Sequence, residues 1–375
     1  MALAGLAAAQ TNRNSSLTSV LDSQNSSLSL LNGLIQGSSE TQRMLNSLSN
    51  VTFLAPSNDA VANLIGTGNA SSTVLANPGL FEAILLYHIL NGTYYASNIT
   101  NITTFIPTHL TNQSFTNVTG GQVVGAVSNS GNVSFLSALR SESNVERADL
   151  NFTGGTIHII DQVLNIPMNV TDTAVQTNLS ASYGAIDRAD LGQRIDDLRN
   201  ITVFAPDNAA FREIASVAGN LSSSVLADIL EYHVVQGPIG YSSTLTNSSL
   251  TTLNGRDVNI TVVNQTVYVN EARVVIPDVL IANGVLHVVD GVLNPNNTQS
   301  SNPTNTAPAF SGASSASDVP FTSGVPTATN VATGIQEATS SLETSTSTEL
   351  AVPMATGAVY MGALFGGAAA IMNGL

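Results

Sequence analysis

Hydrophobic positions along this chain change period in the same order twice. Leu17, Val20 and Leu21, then Leu28, Leu31, Leu34 and Ile35, fall at helical spacing, broken near Asn25 and Gly33. The short apolar run Val51-Thr-Phe-Leu-Ala-Pro56 reads as a buried strand stopped by its proline. A helix is expected over about 59–65, and Phe81, Ile84, Leu85 and His88 then form one helical stripe. The pattern restarts with Val175, Leu179, Tyr183 and Ile186, passes through Ile201-Thr-Val-Phe-Ala-Pro206 and a helix over about 208–215, and repeats the stripe as Leu226, Ile229, Leu230 and His233. Later positions alternate. Residues 258–263 and 266–270 flank an Asn264-Gln265 turn and predict a hairpin, with 273–276 as a further short strand. On the closing strands His158 shares a face with Ile160, and His287 with Val289. Helices first and strands later predict an α+β fold rather than a doubly wound sheet.

The two halves also match residue by residue. Asn50-Val-Thr-Phe-Leu-Ala-Pro-Ser-Asn58 returns as Asn200-Ile-Thr-Val-Phe-Ala-Pro-Asp-Asn208, Leu85-Leu-Tyr-His-Ile89 as Leu230-Glu-Tyr-His-Val234, and Gly155-Thr-Ile-His-Ile-Ile-Asp161 as Gly284-Val-Leu-His-Val-Val-Asp290. Three ordered matches mean two copies of one domain, with a period too long for a solenoid. His88 precedes His158 by 70 residues but His233 precedes His287 by 54, so insertions sit between the anchors, where loops accept them.

Across about 15–295 these anchors resemble the fasciclin domain, a secreted adhesion module that commonly occurs in tandem. Val61 stands where that family usually has Phe, and Ala209 where Asp59 matches it. The resemblance implies a β-sandwich-like core with packed helices in each copy. It further implies an adhesive role for the region of Tyr87-His88 and Tyr232-His233.

Only 9% of residues are charged, against roughly 25% in an ordinary soluble protein. Something other than charge must hold this surface in water, and Asn-x-Ser/Thr acceptors supply a candidate. They stand at Asn14, Asn25, Asn50, Asn69, Asn91, Asn98, Asn101, Asn112, Asn117, Asn132, Asn151, Asn169, Asn178, Asn200, Asn220, Asn247, Asn259, Asn264 and Asn296. That density points to a secretory route. Asn200 and Asn259, beside apolar strand runs, are the least suited to carry sugar. Arg supplies every strong cation and acidic residues outnumber it in both copies, for a net charge of −15. No basic patch exists for a nucleic acid. The lack of Cys excludes disulfides, thiolate metal sites and thiol nucleophiles together.

Residues 1–9 end in a small-residue cleavage pattern and read as a short or truncated secretory signal. The copies occupy 10–168 and 169–295. Residues 296–349, rich in Ser, Thr, Ala and Pro, are expected to form an extended, O-glycosylated stalk. The charge-free run 350–375 behind them reads as a glycosylphosphatidylinositol anchor signal, with attachment at Ser340, Ser341, Ser345 or Ser347; a retained membrane helix is the alternative.

Catalytic chemistry finds little footing. Without Lys there is neither a P-loop lysine nor a Schiff base, and no G-x-S-x-G or H-E-x-x-H motif occurs. The anchor histidines, with Asp161 and Asp290, have no zinc-ligand spacing. They are read as buried, hydrogen-bonded core residues joining helix to strand, alongside Pro56, Asn58, Pro206 and Asn208. The expectation is a non-enzymatic surface protein without cofactor. It contacts an extracellular protein or polysaccharide, with weak self-association left open and membrane attachment through lipid. A binding module for a small apolar or carbohydrate ligand is the rival reading.

Overall fold

The structure, a computed structural model, describes residues 15–66, 77–297 and 309–328. It divides into two compact units: Met1–Leu110, Gly120–Ser137 and Glu142–Asn165 form the first, and Thr111–Thr119, Ala138–Ser141 and Ile166–Leu375 the second.

In the first unit α1 (Leu17–Ser23), α2 (Asn25–Gln36) and α3 (Ser39–Ser47) precede β1 (Val51–Pro56). Ser16 and Ser38 start α1 and α3 by accepting the amides of Ser19 and Thr41. After α4 (Asn58–Gly66), α5 (Pro78–Tyr87) opens with Pro78 in its first turn and the Asn77 side chain as cap. Strands β2 (Ile89–Asn91), β3 (Thr104–Pro107), β4 (Val123–Asn129), β5 (Asn132–Leu136), β6 (Glu142–Phe152) and β7 (Gly155–Ile160) complete a sheet of order β2-β1-β7-β6-β5-β4-β3. Its one parallel pair, β1 with β7, is central and buried on both faces, which is why both strands read as continuous apolar runs. Phe53, Ala55, Ile157 and Ile159 meet Leu17, Leu21, Leu28 and Ile35 of the helices. The opposite face, carrying Leu54 and His158, turns toward Phe135 of β5. Strand β6 makes the corner between layers. It pairs with β5 through Asn144 and with β7 from Val145, the latter pairing carrying two register shifts between Val145 and Leu150.

The second unit has α6 (Val170–Gln176), α7 (Ser180–Arg188) and α8 (Gly192–Asp196), then β8 (Ile201–Pro206), α9 (Asn208–Glu213), α10 (Ala215–Ala218) and α11 (Ser223–Glu231). Strands β9 (Val234–Gln236), β10 (Ser248–Thr251), β11 (Asp257–Val263), β12 (Thr266–Val269), β13 (Ala272–Ile281) and β14 (Gly284–Val289) follow. Their order, β10-β11-β12-β13-β14-β8-β9, is that of the first sheet strand for strand, with β14 parallel to β8. Each unit is thus the expected α+β module.

Four local expectations shift. The helix α2 runs unbroken through Gly33, where a break is expected. The helix foreseen over 208–215 breaks at Ile214 into α9 and α10. The short strand at 273–276 is the start of the ten-residue β13, whose alternation two register shifts interrupt. His88 and His233 lie just beyond the ends of α5 and α11, although both keep the buried side of the stripe.

Residues 309–328 depart from the extended stalk expected there. Phe310, Ala313, Val319 and Phe321 pack against the second core. Phe321 meets Phe211 edge-on with centroids 5.8 Å apart, and the Arg188 guanidinium lies 5.4 Å from its ring. Ser314 and Ser216 exchange hydrogen bonds. A few aromatic contacts onto a preformed helical face suffice here, where average composition implied too little burial. The remaining stretches of 296–349, the signal segment, the run 350–375 and the four anchor serines lie outside the described residues, apart from 296–297.

Candidate functional site

Each repeated motif ties a different pair of elements together, and both units use the same atoms. His88 is 1% exposed; its Nδ1–H donates to the Ile84 carbonyl at 2.7 Å and its Nε2 accepts the Leu164 amide at 2.9 Å. His233 repeats this with Ile229 at 2.7 Å and Leu293 at 2.9 Å. The ring therefore bridges a helix C-terminus to the chain leaving the last strand. Burial pushes both imidazoles down to about 4, against a smaller upward pull from the helix carbonyl, so they are neutral at pH 7. With both nitrogens committed, neither ring has a lone pair for a metal.

Tyr87 and Tyr232 are wholly buried. The Tyr87 hydroxyl donates to Val123 O at 2.9 Å, and that of Tyr232 to Asp257 O at 2.8 Å while accepting from Asn270. A partner meeting the intact surface would touch neither Tyr-His pair.

The second histidine of each unit has the opposite tautomer. His158 Nε2–H donates to Tyr94 O at 2.8 Å, and its Nδ1 accepts the Asp149 amide at 3.2 Å. His287 does the same with Gly240 O at 2.8 Å and the Asp278 amide at 3.2 Å. Asp149 and Asp278 have φ of 62° and 61°, the left-handed region, at the bulged corners of β6 and β13. The histidine thus holds the bulge open and fastens the segment following β2 or β9. Thr52 and Thr202 fasten it from beneath, accepting the amides of Tyr94 and Gly240 at 2.8 and 2.9 Å. Burial lowers the basicity of His158 and His287, with the nearby Asp149 and Asp278 opposing it.

Asn58 ties the start of α4 to α2, its Oδ1 accepting the Leu30 amide at 2.9 Å; Asn208, at the start of α9, accepts the Ala181 amide of α7 at 3.0 Å. Asp161 accepts the Asn144 amide and Asp290 the Arg273 amide, each at 2.7 Å, pinning the start of the corner strand. Pro56 and Pro206 end their strands opposite Ile160 and Val289. Sequence reasoning missed Asp149, Asp278, Thr52 and Thr202. The signal was available: each Asp lies nine residues before its histidine.

Among the described residues no three His, Asp or Glu side chains gather into a metal-binding group. No described helix is long and apolar enough to cross a membrane. Of the acceptor asparagines, Asn14 and Asn69 lie outside the described residues. Asn25, Asn50, Asn91, Asn98, Asn101, Asn112, Asn132, Asn178, Asn220, Asn247, Asn264 and Asn296 are exposed, while Asn117, Asn151, Asn169, Asn200 and Asn259 are half-buried. The Nδ2 of Asn117, Asn151 and Asn200 donates to Asp196 O, Asp149 O and Thr119 Oγ1 respectively.

A duplicated α+β module cross-tied by buried histidines is the class of protein this geometry defines. The fasciclin domain model matches residues 26–167 and 177–295, and the chain belongs to that family. It is 34% identical over 297 residues to a fasciclin-like arabinogalactan protein of Arthroderma benhamiae, covering 78% of this chain and 70% of that one. A second fasciclin-like arabinogalactan protein, from Phaeosphaeria nodorum, is 32% identical over 66% of this chain and 79% of its own length. Among solved structures, the domain pair of the insect cell adhesion molecule fasciclin I matches 72% of this chain and 98% of its own at 20% identity, with a TM-score of 0.35.

Proposed function

We propose that this is an extracellular, N-glycosylated surface protein whose paired fasciclin units make adhesive contacts with matrix or cell-wall polymer, without catalysis. The observation that supports it most directly is where the acceptors sit: twelve of them present the Asn at the surface, on both units. The relatives named as arabinogalactan proteins agree with a carbohydrate-bearing product. Two tethered copies add weak contacts through effective concentration, which gives duplication a physical use. The cavity between the helices and β8 of the second unit is too small for an apolar ligand. It measures about 20 Å³, space for one water. Tethering through a lipid attached within Ser340–Ser347 completes the reading.

The test is expression in a eukaryotic secretory host. The chain should lose mass on treatment with peptide N-glycosidase, leave cells on treatment with phosphatidylinositol-specific phospholipase, and bind one class of polymer on a glycan and matrix-protein array. Unchanged mass together with an unresponsive array would refute the proposal.

A further inference from the structure

The two units differ at one end of their matched central strands, where Asn50 and Asn200 occupy equivalent positions. Their φ values are 54° and 51°, and each immediately precedes a strand whose first amide, Val51 or Ile201, donates to the carbonyl of Gly154 or Asn283. One residue earlier, Thr153 and Ala282 correspond: their amides donate to Ser15 O and Met168 O.

Within the second unit this place is filled by chain from the segment 111–119. Asn200 Oδ1 accepts the Thr119 amide at 2.8 Å, and its Nδ2 donates to Thr119 Oγ1 at 2.8 Å. Ala282 O accepts both the Asn117 amide at 2.8 Å and the Thr116 hydroxyl at 3.0 Å. The occupant is a short, uncharged stretch of Thr and Asn, read through its backbone and hydroxyls.

Within the first unit the same place is a cleft of about 290 Å³ lined by Asn50, Thr93, Tyr95, Asn151 and the chain at 153–155. Among the described residues Asn50 Oδ1 meets the hydroxyl of Thr93, at 3.2 Å from its Oγ1. Tyr95 is 37% exposed, with its hydroxyl donating to Asn151 Oδ1 at 3.1 Å. An aromatic face beside two carboxamides suits an extended backbone with small hydroxyl side chains and offers no charge to hold an acidic or basic one.

We propose that this cleft of the first unit docks an extended, uncharged, Thr/Asn-rich segment of a partner polypeptide, through the Asn50 carboxamide and the Tyr95–Asn151 pair. The inference deepens the adhesion reading by giving it a polypeptide partner, and it rests on that reading only for its biological use. In the second unit the equivalent place already holds residues 116–119, so the copies divide their labour.

The probe is a synthetic peptide of the sequence at 114–119, Ser-Phe-Thr-Asn-Val-Thr. It is titrated by NMR into the full chain made without N-glycans; the inference requires Asn50 to go without sugar in the secreted protein, and a glycan found on Asn50 by mass spectrometry overturns it. Saturable shifts are expected at the side-chain amides of Asn50 and Asn151, with a scrambled peptide inactive. Asn50→Gly, which keeps the left-handed backbone, and Tyr95→Phe should each weaken binding at least tenfold while the second unit's spectrum stays unchanged. Unchanged affinity in both variants overturns the proposal. So does a chito-oligosaccharide saturating the same amides where the peptide does not, which would make the cleft a glycan site. Array binding that persists after peptide binding is abolished refutes the cleft as the adhesive contact while leaving the family role intact.

Discussion

Comparing the first unit with the second separates what the fold requires from what each copy has added. Sheet order, both histidine bridges, the bulge aspartates and the helix-tethering asparagines are common to both. The dressing differs. Asp207 caps α9 where Ser57 caps α4, each accepting the amide three residues on. Phe321 covers Gly184 of α7, while Gly33, its match on α2, faces open space. Shared groups should behave alike under mutation, and unshared ones should separate the units.

The largest expected effect tests the likeness. His88→Ala and His233→Ala each leave a cavity and an unpaired amide at Leu164 or Leu293, while the helix carbonyls of Ile84 and Ile229 keep a backbone donor. Each should cost its own unit about 2–4 kcal/mol. Calorimetry with hydrogen exchange on both units would check this, with adhesion measured on the same variants. If both melt like the parent while adhesion disappears, the Tyr-His pairs are recognition residues despite their burial.

Acid should separate the units. His88 and His233 are held near 4 against an ordinary 6.5, so their stabilisation is present above pH 6.5 and falls away as pH drops toward 4. Each loss amounts to about 3 kcal/mol. Asp207 runs the other way. Burial raises it from 3.8 to about 6, so its contribution is complete below 3.8 and lost as pH rises through 6. Asp196 of the same unit is likewise raised to about 6 by burial, so acidification returns to the second unit at least what His233 removes, roughly 3 kcal/mol. Hydrogen exchange between pH 7 and 4.5 should show the first unit opening well before the second, and Asp207→Ser combined with Asp196→Asn should make the second follow. Parallel opening in the parent would refute this assignment.

The legible part of this molecule was the part that repeats. Central strands buried on both faces announce themselves as apolar runs, and the anchor residues recur in order. Bulges hid the length of β13, because each register shift changes which positions point inward. The covering segment was invisible for another reason. Phe310, Val319 and Phe321 are sparse among Ser, Ala and Gly, and their partner surface exists only once α7 and α9 have folded. Likewise, nothing local to 111–119 says that Asn200 will receive it.

Paired glycine substitutions test the covering segment next. Alanine favours helix over glycine by up to about 1 kcal/mol, so Gly33→Ala, with nothing within 4 Å of its new methyl, should stabilise the first unit slightly. At Gly184 the same methyl would sit 1.7 Å from Phe321 O, displacing the segment with its aromatic contacts. A net loss of about 1–3 kcal/mol is expected in the second unit. Ending the chain after Asn297 should reverse the sign, leaving Gly184→Ala stabilising. If Gly184→Ala destabilises both lengths equally, the clash is with something other than Phe321.

The smallest effect lies in two matched hairpin turns. Ser130-Gly131 joins β4 to β5 with φ of 52° and 89°, and Asn264-Gln265 joins β11 to β12 with φ of 49° and 66°. Pairing of Asn129 with Asn132 and Val263 with Thr266 leaves two residues in each turn, both left-handed, as a type I′ turn requires. Asn tolerates that region and Gly favours it, but Gln265 is held there against its Cβ. Gln265→Gly should relieve the strain, less the extra freedom glycine gains when unfolded, for a net gain of about 0.5–1 kcal/mol. Gly131→Gln should lose a similar amount from the first unit. Both turns are exposed, so packing does not intrude, and Gln265→Gly keeps the acceptor triplet at Asn264. Denaturant midpoints of the two variants, read separately for each unit, should move in opposite directions. A midpoint unmoved by Gln265→Gly would mean that the second hairpin's register is set by its cross-strand pairs alone.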